Sequence, residues 1–98
     1  MINIPNIVEY EEIIAFHPGC YLADVMNSLN YNSKDMAENL NLSVELLNKL
    51  LNGEADIDEV TAEKIAALIG TSSKMWLNLQ KNYDDAIYKI KKEKEKHN

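Results

Sequence analysis

Apolar positions recur with helical spacing along most of the chain. Leu22, Val25, Met26 and Leu29 fall at i, i+3, i+4 and i+7, a single stripe that closes near Asn30. Met36, Ala37 and Leu40 share one face of a second run, and Leu47, Leu50 and Leu51 share one face of a third. Ala62, Ile65, Ala66 and Ile69 repeat on a fourth. Trp76, Leu79, Tyr83, Ile87 and Ile90 follow at spacings of 3, 4, 4 and 3, a stripe longer than a compact five-helix domain needs. The spacing therefore predicts five helices in an all-α domain. Residues 1–16 are different. Pro5 breaks any helix at the start, and Ile7, Tyr10, Ile13, Ile14 and Phe16 have mixed periodicity, so helical and extended readings compete. This arm is expected to lay its apolar residues on the domain body or on a second subunit.

Polar residues and glycines mark the ends of the runs. Pro18, within His17-Pro18-Gly19, suits the first turn of the first helix, where its missing N–H costs nothing. Ser33 and Ser43 each stand just before an apolar-periodic run and can cap it. Asn41 suits a left-handed corner between the second and third helices, with Leu42 plugging the angle. Gly53 and Gly70 read as left-handed stops. Asp58 can cap the fourth helix with Glu59 in its first turn, and Thr71 or Ser72 can cap the fifth. Two short helices with a tight corner, over residues 33–53, form a helix-turn-helix pattern whose second helix is offered to the DNA major groove. The division expected is an arm over 1–16, a DNA-binding domain over 17–80 and a helical extension over 81–98 that becomes all polar from Lys91.

Composition complicates that picture. The chain has 98 residues, enough for one domain with a real core, and a formal charge of −6. All ten basic residues are Lys, so the commonest bidentate reader of guanine is missing. Residues 1–80 hold 4 Lys against 12 acids, whereas residues 81–98 hold 6 Lys against 4 acids. An acidic body opposes non-specific phosphate binding and suits a basic partner. No apolar run approaches the roughly 20 residues a membrane span requires. With a single Cys20, which cannot form an internal disulfide, this points to a reducing, cytoplasmic location.

Enzyme chemistry finds no support. There is no Ser/His/Asp set at a useful spacing, no Gly-rich phosphate loop, no metal-ligand cluster, and hence no cofactor or small-molecule substrate to expect. Cys20 has no evident base beside it and reads as a space-filling residue. His17 reads as a capping or packing residue, since the only other histidine, His97, lies far away in the polar tail. Asp56 with Asp58, and Asp84 with Asp85, stand where capping and solvation explain them.

His17-Pro18-Gly19, the helix pair ending Leu50-Leu51-Asn52-Gly53, and LIGTSSKMWLNLQKNYD over 68–84 together resemble the HigA-type (VapI-like) antitoxins of the Xre/Cro-like helix-turn-helix family. The resemblance covers about residues 17–84. It implies a five-helix domain that dimerises, binds operator DNA and represses its own operon, with a basic HigB-type ribonuclease toxin as a further partner. A domain used mainly for protein contact, or standing at the front of a longer regulator, remains the alternative.

Helical geometry turns residues 44, 45, 48 and 49 outward. Val44 can touch a thymine methyl, Glu45 can accept from cytosine, and Asn48 can pair with adenine. Lys34 and Lys49 can meet phosphate, the capped helix starts after Ser33 and Ser43 can offer N–H groups to it, and Asn52 completes the expected surface. Two features oppose this: Glu45 and Asp35 repel phosphate if unpaired, and exposed Val44 and Leu46 suit a protein interface. Trp76, Leu79, Tyr83 and Ile87 are expected in the core or at a dimer or partner interface.

Overall fold

The computed structural model describes residues 7–10 and 13–96. The readings of Pro5 and His97 lie outside the described residues. In chain order the elements are β1 (Ile7–Tyr10), β2 (Ile13–Phe16), α1 (Gly19–Leu29), α2 (Ser33–Leu40), α3 (Val44–Leu51), α4 (Glu59–Ile69) and α5 (Ser73–Lys96). The five helices fall where the apolar stripes lie. Leu22, Met36, Leu40, Leu47, Ile65 and Trp76 meet in one core, with Leu42, Leu51 and Leu79 packed around it.

The helix ends follow local chemistry. Asn30 and Asn41 close α1 and α2 in the left-handed region, at φ 58 and 54°, which Asn tolerates better than most residues. Gly70 closes α4 at φ 77°. Asp58 Oδ1 accepts the Thr61 N–H at 2.8 Å, and that bond holds the Asp58 carboxyl below its usual pKa. Ser72 rather than Thr71 caps α5, its Oγ accepting the Met75 N–H at 3.1 Å. The Thr71 hydroxyl instead accepts the buried Trp76 Nε1–H at 3.0 Å.

One cap differs from the sequence reading. Ser33 does not cap α2; it is the first residue of the helix, and Asn32 holds the cap position. Asn32 Oδ1 accepts the Asp35 N–H at 2.8 Å, and Asp35 Oδ2 accepts the Asn32 N–H at 3.3 Å. This reciprocal box satisfies two orphan donors, which a lone serine hydroxyl cannot do.

Where it is described, over residues 7–10 and 13–16, the arm is extended, not helical. β1 and β2 form an antiparallel hairpin that pairs Ile7 with Phe16, Val8 with Ala15, Glu9 with Ile14 and Tyr10 with Ile13. Directly opposite residues share a face, so Val8, Tyr10, Ile13 and Ala15 lie on one side. Ala15 is buried on that side. β2 packs along α5, and Lys94 Nζ sits 5.4 Å from the centre of the Tyr10 ring. The opposite side carries Ile14 and Phe16, both exposed. The long stripe on α5 thus meets the core at Trp76 and reaches a second burial site at Ile90, beyond the five-helix core. No helix among the described residues is long and apolar enough to cross a membrane.

Candidate nucleic-acid interface

The α2–α3 pair is fixed at its corner, at both ends of α3 and from behind. At the corner, the Leu42 N–H donates to Ala37 O at 2.9 Å and Leu42 packs on the core. Lys64 Nζ reaches the Asn41 carbonyl at 3.2 Å, placing a cation at the negative end of α2. At its start α3 is capped by Ser43, whose Oγ accepts the Leu46 N–H at 3.1 Å. At its end, Gly53 is left-handed at φ 74° and the Glu54 N–H donates to Lys49 O at 2.8 Å, the two marks of a Schellman stop.

Behind α3, the HPG segment has a packing role. A methyl group on Gly19 would collide with the Leu50 carbonyl, so α1 can start against the end of α3 only with glycine there. His17, fully buried, accepts the Gly19 N–H on Nδ1 at 2.9 Å and donates from Nε2 to Ala55 O at 2.9 Å. Those bonds require the neutral imidazole with its proton on Nε2. Its ring meets the Tyr83 ring edge-on at 4.9 Å. Burial pushes the His17 pKa down, against the opposing pull of the Ala55 bond and of Asp56 and Asp84. His17 is therefore a capping and packing residue, as the sequence suggests.

Gln80 completes the clamp. Its Oε1 accepts the Ile57 N–H at 2.9 Å, while Nε2 donates to Asp56 Oδ1 at 3.1 Å and Asp84 Oδ1 at 3.0 Å. The segment that leaves α3 is thus tied to the start of α1 through His17 and to α5 through Gln80. The sequence alone does not single out Gln80, Lys64 or Asn32 for these roles. Only Asn32 carried a local signal, the Asn-x-x-Asp spacing of a capping box.

The outer surface of α3 holds Val44, Glu45, Asn48 and Lys49, all exposed, with Asn52 exposed just past its end. Leu47 and Leu50 are buried and Leu51 is half-buried, as the spacing requires. Leu46 is exposed at the shoulder. Lys49 Nζ lies 3.7 Å from Glu45 Oε1, so the carboxylate at the crest of the helix has a cation beside it. Asp35 is turned onto its own helix start by the capping box. Both acids that would repel phosphate are thus partnered. Lys34 is exposed and Ser33 half-buried at the start of α2. Trp76 lies in the domain's own core, 1% exposed. Leu79 packs on that core, Tyr83 packs on His17, and Ile87 is half-buried. Among the described residues no group of three or more His, Cys, Asp or Glu could hold a metal ion.

Comparison with known proteins agrees with this architecture. The helix-turn-helix family profile matches residues 22–76. An uncharacterised HTH-type transcriptional regulator of Escherichia coli, YddM, is 32% identical over 63 residues, which is 64% of this chain and 67% of that protein. An addiction module antidote protein of the HigA family from Coxiella burnetii superposes with a TM-score of 0.77 at 32% identity, over 82% of this chain and 88% of the other. The antitoxin HigA of Pseudomonas aeruginosa, solved with the higBA promoter, superposes with a TM-score of 0.76 at 25% identity, over 82% and 88%. With the five-helix architecture, the α2–α3 pair and these likenesses together, the chain belongs to the helix-turn-helix family, in its HigA branch.

Proposed function

We propose that this protein is a sequence-specific, operator-binding repressor that acts as a homodimer in the cytoplasm, and that it is the antitoxin of a HigBA-type module. The observation that carries the reading is the outer face of α3. It is polar at its crest, capped at both ends and braced from behind, on a fold shared with an antitoxin solved on its promoter. A helix held this way can present Asn48, Val44 and Glu45 to base edges without reorganising, while Lys34 and Lys49 meet phosphates.

A two-fold dimer presents two copies of α3 one DNA turn apart, so the operator is a palindrome with half-sites about 34 Å apart. Lys34 and Lys49 give about four phosphate contacts per dimer, and log affinity falls with log salt at a slope of about −4. The net charge of −6 supports a small basic ribonuclease as the second partner. Footprinting of the region upstream of the gene at low salt tests the repressor. A palindromic protected site is expected, and no protection by the dimer defeats the reading. Co-purification with a small Lys/Arg-rich protein encoded beside the gene tests the antitoxin role.

A further inference from the structure

Val44 is an aliphatic residue left 43% exposed on the surface that the preceding reading assigns to base contact. It lies one helical turn before Asn48, so the two side chains stack on one shoulder of α3. The crest between the shoulders is taken by Glu45 and Lys49, which are paired with each other. Val44 is presented rigidly. It occupies the first turn, fixed by the Ser43 cap, and its branched Cβ holds essentially one rotamer in a helix.

In the major groove an aliphatic side chain has one apolar feature to meet, the 5-methyl group of thymine. An Asn amide, donor and acceptor side by side, matches adenine N6–H and N7. The chain has no Arg with which to read guanine bidentately. We propose that the Val44–Asn48 shoulder reads adjacent A·T pairs, Val44 through a thymine methyl and Asn48 through an adenine edge, so that recognition of each half-site depends on one thymine methyl group. This rests on the operator-binding reading and goes beyond it by naming the bases read.

The test uses the duplex that the purified full-length protein enriches from a random DNA pool, with each thymine replaced in turn by deoxyuridine, which removes only the methyl. One thymine per half-site should be sensitive, its replacement weakening binding roughly threefold to fivefold, the worth of one buried methyl. Val44→Ala should lose affinity for the thymine duplex and become indifferent to deoxyuridine at that position. Its melting temperature should stay unchanged, since the side chain is exposed. Asn48→Ala should relax the adenine preference at the neighbouring pair. If no thymine is sensitive, if Val44→Ala keeps the full sensitivity, or if the enriched half-site is G·C throughout, the inference is overturned and Val44 belongs to a protein contact instead. Failure to enrich any duplex defeats the operator-binding reading itself, a different outcome from an enriched duplex that ignores the methyl.

Discussion

The two faces of α3 are held by different physics. On the inner face, Leu47 and Leu50 are fully buried, Gly19 abuts the Leu50 carbonyl, and the exit from the helix is hydrogen-bonded to His17 and Gln80. Every inner contact is fixed by another, and a change at one forces movement elsewhere. The outer face holds the exposed Glu45–Lys49 ion pair, with Val44 and Asn48 exposed beside it. Such a pair contributes little stability. The helix's position is overdetermined by the scaffold, while its outer residues are ones the scaffold does not use.

The sharpest way to break that contrast is to exchange the faces as targets. Leu47→Ala should destabilise by about 2–5 kcal/mol, the usual cost of a truncated core leucine. Glu45→Ala should stay within about 0.5 kcal/mol, because its pair with Lys49 is exposed. Urea denaturation of the two variants measures both, and similar losses would erase the distinction. Gln80→Leu comes next. It leaves the buried Ile57 N–H without its acceptor and should cost about 1–3 kcal/mol in the same assay.

A smaller pair sharpens the boundary of α2. Asn32→Ala should cost about 1 kcal/mol through loss of the capping box. Ser33→Ala should cost much less, since its hydroxyl is not the cap. Thermal melts that rank the two variants the other way would restore Ser33 as the cap.

A subtler signature lies in pH. The His17 pKa is lowered in the folded protein from its ordinary 6.5. At pH values below 6.5 the unfolded chain therefore takes up a proton that the folded site resists. Stability should fall as pH drops from 7 towards 5, and His17→Asn should flatten that slope while keeping an acceptor near the Gly19 N–H. An unchanged slope in the variant would place the acid sensitivity elsewhere.

Much of this fold is legible in the sequence because its boundaries carry residue-type signals. Asn41, Gly53 and Gly70 sit where the backbone is left-handed, and few other residue types tolerate that. Asp58 and Ser43 are caps whose oxygen must lie just before an apolar run. The outward set 44, 45, 48 and 49 follows from the period of the helix alone. What escaped reading depends on distant partners. The need for glycine at 19 exists only because the Leu50 carbonyl arrives there. Gln80 is a polar residue among apolar ones until the Ile57 N–H is seen facing it. The hairpin's strands are four residues each, too short for the period-2 signal to beat the helical one, and β2 is settled by packing on α5. Asn32 was hidden by Ser33 beside it, an equally good cap by residue type.

On the proposed function, the outer face of α3 reads an operator while the inner face only holds the helix. The most direct test is a footprint on the upstream region with the wild-type protein and with Asn48→Ala/Lys49→Ala, each checked for an unchanged melting temperature. A protected palindrome is expected for the wild type, and its loss in the equally stable variant. Protection that survives both substitutions would contradict that function.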